Sequence, residues 1–144
     1  MIVVPQIALV LAAACALLNI WLGFRVGKVR GQEKVSIGDG GNERVIRRMR
    51  AHANFAENAP LVVLLVLVIE LAHGPSIWLW IAAALFMIGR IGHGIGMDGW
   101  YPGRSGGTGL TLVVQLALAL WAIAIPLTAA RAPGGAAVET VRQG

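Results

Sequence analysis

The sequence predicts an all-α integral membrane protein, a bundle of four transmembrane helices. Its 144 residues are 57% hydrophobic and only 13% charged, and the mean hydropathy is +0.73. Four long apolar segments follow one another along the chain, and each can cross about 30 Å of hydrocarbon as a helix. Because backbone groups in lipid must be satisfied within their own segment, each segment is expected to be helical. The length fits one domain, which we assign to residues 1–130.

The four predicted helices are joined by connections of different kinds. The helices are expected over residues 2–26, 43–71, 75–97 and 110–130. A glycine-rich stretch, residues 31–42, predicts a flexible first loop. The His73-Gly74-Pro75 turn is tight, so the second and third helices should be antiparallel neighbours. Residues 98–109 are rich in glycine and predict a short third loop, and the tail 131–144 is expected to be disordered.

The basic residues are concentrated in one part of the chain and predict the topology. Eight of the twelve Lys and Arg lie between Arg25 and Arg50, whereas the turn between the second and third helices carries none. By the positive-inside rule the first and third loops are cytoplasmic and both termini lie outside. Without a soluble basic domain, nucleic-acid binding is not expected. The single cysteine excludes an intramolecular disulfide.

A polar stripe marks the start of the second helix, formed by Arg47, Arg50, Asn54 and Glu57. Spacings of 3, 4 and 3 keep these residues on one helix face. Arginines bind carboxylates in bidentate fashion, Asn54 both donates and accepts, and Glu57 can bind an ammonium group. The stripe therefore predicts a site for a ligand with carboxylates and an amine. The alternative is a helix start that snorkels its arginines, which would not explain Asn54 and Glu57.

Charged groups and glycines are interleaved near the end of the third helix, in the sequence GRIGHGIG from residue 89 to 96. Arg90 and His93 lie one turn apart there. The glycines indicate close helix packing, and Arg90 could form a salt bridge to Glu57 or Glu70. His52 and His93 lie on different helices and have no Cys or carboxylate at metal-ligand spacing. No metal or haem is therefore expected, and each histidine should hydrogen-bond to a neighbouring helix.

The predicted third loop carries Trp100, Tyr101 and Arg104. The two aromatic residues are typical of a membrane interface. Arg104 is either one more cytoplasmic charge or a cation placed to stabilise a developing anion such as a thiolate.

Two segments resemble a known family. The sequence RAHANFAENAP, from Arg50 to Pro60, resembles the helix-two signature of the MAPEG family, membrane-associated proteins of eicosanoid and glutathione metabolism. Residues 89–93, GRIGH, are similar to that family's helix-three GR-x-x-H segment. The resemblance covers residues 5–130 and is strongest to small bacterial members. It implies a bacterial inner membrane protein, a homotrimer that binds glutathione between adjacent subunits near the cytoplasmic side.

The resemblance also implies roles for individual residues. The residues that would contact glutathione are Arg30, Arg50, His52, Asn54, Glu57, Arg90 and His93. Arg30 would reach the ligand of the neighbouring chain. Arg104 would stabilise the thiolate, and Ser105 follows it as a serine does in the prostaglandin synthase branch. Met97 stands where the family has a tyrosine, and Asn58 where some eicosanoid members have one, which argues against an eicosanoid synthase.

The leading hypothesis is a glutathione-dependent transferase or peroxidase that acts on lipophilic electrophiles or hydroperoxides dissolved in the membrane lipids. Glutathione would be a co-substrate held among arginines. The alternative is a non-catalytic trimeric membrane protein that binds glutathione or a lipid-like anion, which Met97 favours. A small transporter is less consistent with the sequence, because the polar stripe is confined to one half of the second helix.

Overall fold

The computed structural model describes residues 4–129, which form four α-helices and no strand. The helices are α1 Gln6–Glu33, α2 Glu43–His73, α3 Ile77–Gly96 and α4 Tyr101–Ala129. Each of them is long and apolar enough to cross a membrane. The predicted all-α, four-helix membrane fold is confirmed, and the chain is a multi-pass membrane protein. The predicted disordered tail lies outside the described residues.

The first helix is longer than predicted, because it extends beyond its apolar segment to Glu33. The added residues are mostly good helix formers, and a helix can continue into water once its apolar part is anchored. It ends at Lys34, which adopts the left-handed conformation with a φ of 57°. The N-cap of α2 is Asn42, whose side-chain oxygen accepts from the backbone N–H of Arg44 at 2.9 Å. The first loop therefore shrinks to residues 34–42.

The prediction of a loop over residues 98–109 is wrong beyond residue 100, because α4 begins at Tyr101. Glycine is a poor helix former, but here it permits close packing against α3. A Cβ atom on Gly107 would lie 2.4 Å from the carbonyl oxygen of Gly89 and 2.6 Å from the backbone nitrogen of His93. The helix–helix approach thus outweighs glycine's preference for a loop. It places Arg104 in the first turn of a helix.

The core is apolar and continuous through the bundle. The packing is most extensive between α3 and α4 and between α1 and α2. The tight turn at residues 74–76 also brings α2 and α3 into contact, as predicted. At this end of the bundle the buried carboxylate of Glu70 accepts from the backbone N–H groups of Ile7 and Ala8, at 2.9 and 2.8 Å. It thereby satisfies donors at the start of α1 and ties this helix to the end of α2.

Candidate functional site

Arg90 joins three helices at the centre of the candidate site. It is 1% exposed, and its guanidinium donates to Asn54 Oδ1 on α2 at 2.7 Å and to Thr111 Oγ1 on α4 at 3.3 Å. Its Nε is buried without a hydrogen-bond partner among the described residues. The predicted salt bridge to Glu57 or Glu70 is wrong, because neutral oxygens occupy the guanidinium. Arg90 therefore fixes the orientation of the Asn54 amide from inside the bundle.

His93 lies one turn after Arg90 and is also buried, 6% exposed. Its Nδ1 lies 3.2 Å from the carbonyl oxygen of Arg104 and 3.0 Å from Thr108 Oγ1, both on α4. A carbonyl only accepts, so the contact with Arg104 requires a proton on Nδ1. The Thr108 hydroxyl donates to the same carbonyl at 3.0 Å. His93 thus bonds to a neighbouring helix as predicted, and it positions the backbone of Arg104.

The polar stripe of α2 is divided between the interior and the surface. Asn54 is half-buried against Arg90, and Arg47 pairs with Glu43 at 2.8 Å within the helix. Arg50 and Glu57 are exposed. Their side chains form no hydrogen bond or ion pair with any other residue in the range 4–129. The surface of α2 thus presents a cation, an amide and a carboxylate on one face. Such a set can bind a ligand that carries both carboxylate and ammonium groups.

Arg104 and Ser105 are both exposed in the first turn of α4. The Ser105 hydroxyl donates to the carbonyl oxygen of Tyr101 at 3.1 Å. The Arg104 side chain makes no hydrogen bond or ion pair to another described residue, while its carbonyl is held by His93. Contacts through α3 therefore connect the α2 stripe to Arg104, from Asn54 to Arg90 and from His93 to α4.

The two remaining predicted residues contact other helices of the same chain. His52 Nε2 lies 2.8 Å from Asn19 Oδ1 on α1, which confirms the expected interhelical hydrogen bond. Asn19 was missed, because a lone asparagine in an apolar segment gives no local signal of its partner. Arg30 donates to Met49 Sδ on α2 at 3.5 Å, so within the chain it faces α2. The expectation that the site holds no metal or haem stays a prediction.

A second feature was missed by the sequence reasoning: a basic cleft of 910 Å³ between α1, α2 and the end of α3. The cations that line the basic cleft are Arg25, Lys28, Arg44, Arg47 and Arg48. None of the nine predicted site residues is among its lining residues. The signal was present as the concentration of basic residues, which was interpreted as a determinant of topology and, for Arg30, Arg47 and Arg50, as part of a different ligand site.

Comparison with known proteins gives a family and relatives for this chain. The MAPEG family model matches residues 8–124. The chain is 29% identical to the inner membrane protein YecN of Escherichia coli strain K12 over 115 residues, 76% of this chain and 87% of YecN. YecN of Escherichia coli O6:H1 matches with the same identity and coverage.

Proposed function

The chain belongs to the MAPEG family, and from this premise we propose that it is a membrane glutathione transferase or peroxidase acting on lipophilic electrophiles or hydroperoxides. One observation carries the proposal. Asn54, held from inside by Arg90 at 2.7 Å, stands on α2 between the exposed side chains of Arg50 and Glu57. A preorganised amide beside an open cation and an open carboxylate suits an amine- and carboxylate-bearing peptide.

Binding of glutathione would use complementary charges along α2. The Arg50 guanidinium would bind a carboxylate in bidentate fashion, and the Glu57 carboxylate would bind the ammonium group. Asn54 would contribute hydrogen bonds with a fixed orientation, since Arg90 already occupies its oxygen. The Asn54 amide is thus already ordered in the free protein, so binding loses less side-chain entropy.

Arg104 would supply the electrostatic stabilisation of the glutathione thiolate. Lowering a thiol pKa from about 8.5 by two units requires about 2.7 kcal/mol. One or two poorly screened guanidiniums can provide this. In a transfer, the thiolate sulfur forms a bond to the electrophilic carbon and the leaving group departs with its electron pair. In a peroxidase reaction, two glutathiones reduce one hydroperoxide to an alcohol and water and become the disulfide.

A homotrimer in the bacterial inner membrane is part of the proposal. A membrane-spanning stretch of about 20 residues that ends at His73 begins near Asn54, so the exposed Glu57 lies at membrane depth. A carboxylate facing lipid is costly, which supports a second copy of the chain covering this face of α2. The inner membrane assignment rests on the relative named above. The charge bias supports an orientation with both termini outside the cytoplasm.

Glutathione binding to the purified protein in detergent tests the proposal directly. We expect binding at millimolar glutathione and a thiolate absorbance near neutral pH. Arg104→Ala should remove the thiolate absorbance and retain binding, whereas Lys34→Ala, a loss of the same charge in the first loop, should leave both unchanged. Absence of binding would overturn the proposal, and a persistent thiolate in Arg104→Ala would overturn the role of Arg104.

A second candidate function is binding of glutathione or a lipid-like anion without catalysis. Met97, 8% exposed, has no hydroxyl to donate to a sulfur. The Ser105 hydroxyl donates to Tyr101 O, so it is already engaged in the helix. These two observations favour a ligand that is bound and not converted. Tight glutathione binding without turnover of a panel of halo-arenes and hydroperoxides would select this function.

A further inference from the structure

The basic cleft contains a fixed pair of guanidiniums. Arg25 and Arg48 both bind the carboxylate of Asp98, which follows α3, and the Arg48 Nε to Asp98 Oδ1 distance is 2.6 Å. Arg25 also donates to the carbonyl oxygen of Gly94 at 2.7 Å, and its side chain is only 10% exposed. A Cβ atom on Gly94 would lie 3.2 Å from Leu22 Cδ2 and 3.3 Å from a ring carbon of Trp21, so glycine lets α1 pack closely against α3 at this point. Asp98 thus fixes the two guanidiniums side by side and balances one of their two positive charges.

The other cations of the basic cleft add to an excess of positive charge. Glu43 pairs with Arg47, and Glu33, beside the basic cleft, pairs with Arg44. Lys28 is exposed and forms no ion pair with another described residue. Together with the pair that shares Asp98, five cations face three carboxylates. Two positive charges remain for a ligand such as a phosphate group.

One side of the basic cleft is aromatic and aliphatic. Trp21 and Phe24 on α1 and Ile95 on α3 line it, and Phe24 and Ile95 are 71% and 46% exposed. The Trp21 ring lies under the Arg25 guanidinium, and the distance from the ring centroid to the guanidinium carbon is 4.5 Å. On α1 the uncharged segment ends at Phe24, and Arg25 and Lys28 follow it. The basic cleft thus lies at the boundary of the hydrocarbon, where lipid head groups are found.

We propose that the basic cleft binds an anionic phospholipid of the surrounding membrane. The phosphate would lie against Arg48 and Lys28, and an acyl chain would extend past Phe24 and Ile95 into the bilayer. Basic pockets between transmembrane helices bind anionic lipid head groups in this way. A free phosphate would use the cations and leave the apolar side without a partner. The basic cleft shares Arg47 and Met97 with the surroundings of the proposed glutathione site, but Arg50, Asn54 and Glu57 do not line it.

Displacement of a fluorescent phosphatidylglycerol from the full-length protein in detergent tests the cations. Phosphatidylglycerol should compete at least tenfold better than phosphatidylcholine. Lys28→Gln and Arg48→Gln should each weaken binding about fivefold, since each basic side chain near a head group contributes about that factor. Lys34→Gln, which removes a charge outside the basic cleft, should change binding less than twofold. Equal competition by the two lipids, or an equal effect of Lys34→Gln, would overturn the proposal.

The acyl chain is tested separately, and two free anions serve as competitors. Phe24→Ala should weaken the long-chain lipid more than a short-chain one, while Leu17→Ala, which is 70% exposed on α1 outside the basic cleft, should affect neither. Glycerol phosphate that displaces the lipid at equal concentration would show a head-group site only and overturn the lipid assignment. Displacement by glutathione would merge the basic cleft with the proposed glutathione site and overturn their separation. Glutathione affinity should change less than twofold in Lys28→Gln.

Discussion

Arg90 and Arg50 are both arginines of membrane-spanning helices, but the fold surrounds them differently. Arg90 on α3 is 1% exposed and bonded to Asn54 and Thr111. Arg50 on α2 is exposed and has no bonded partner within residues 4–129. A buried guanidinium between helices holds their relative positions, whereas an exposed one is available to a ligand or to another subunit. The comparison separates buried residues that hold the helices in position from exposed residues that are proposed to bind a ligand.

The largest effect is expected for Arg90→Ala. It would leave a cavity and remove the partners of Asn54 and Thr111, so the free energy of unfolding should fall by about 4 kcal/mol. Denaturant unfolding in detergent measures this change. Arg50 is exposed, so Arg50→Ala should change the free energy of unfolding by less than about 0.5 kcal/mol. Similar decreases in the free energy of unfolding for both variants would show that Arg50 is as important to stability as Arg90.

The contact between α3 and α4 near His93 can also be disrupted by a substitution. On Gly107 a Cβ atom would meet backbone atoms of α3 at 2.4 and 2.6 Å, so Gly107→Ala should lower the free energy of unfolding by about 3 kcal/mol. Gly106 has no heavy atom within 4 Å of the corresponding position. Gly106→Ala should therefore be neutral or stabilising by up to about 1 kcal/mol. A thermal unfolding series in one detergent compares the two, and equal midpoints would mean that the contact is looser than described.

The binding side is tested by Glu57→Gln and Arg50→Gln. In the proposed complex each residue makes a charge-assisted hydrogen bond to glutathione worth about 1.5–3 kcal/mol, so its loss should raise the dissociation constant about 10- to 100-fold. Titration calorimetry measures the change. Arg47→Gln is the matched control, because Arg47 pairs with Glu43 on its own helix. If Glu57→Gln lowers the free energy of unfolding as much as Arg90→Ala does, Glu57 holds the helices in position and is not a ligand-binding residue.

The smallest effect on the free energy of unfolding is expected for the hydrogen bond between the exposed Asn19 and the half-buried His52. Asn19→Ala removes the 2.8 Å hydrogen bond to His52, and such interhelical bonds in membranes contribute about 0.6 kcal/mol. A double-mutant cycle with His52→Ala isolates this term in the free energy of unfolding. A coupling energy near zero would show that the bond makes no net contribution.

The candidate site could be predicted only in part. Asn54, Glu57 and Arg50 were identified because their spacing on one helix is visible in the sequence. Thr111 was missed, because a threonine in an apolar helix carries no mark of the arginine it will meet. Its contact joins residues 21 positions apart on two helices.

The ion pair of Arg25 and Asp98 was missed for the same reason, since it spans 73 positions along the chain. Arg104 was expected in a loop, but it lies in the first turn of α4. Glycine preferences are local, whereas the packing of α3 on α4 is a tertiary effect. The assigned roles of Arg104 and Ser105 stay predictions.

By itself the sequence determined the number of helices, their order and the family, because hydropathy over about 20 residues and short motifs are local properties. Membership in the family confirms the resemblance predicted from residues 50–60 and 89–93. Only the tertiary structure decided which polar groups are occupied and which are open. Arg90 donates to two neutral oxygens. The Arg50 side chain makes no hydrogen bond or ion pair within residues 4–129, and the cations of the basic cleft lie close together. Burial and partner choice depend on helices distant in the chain, and no local pattern records them.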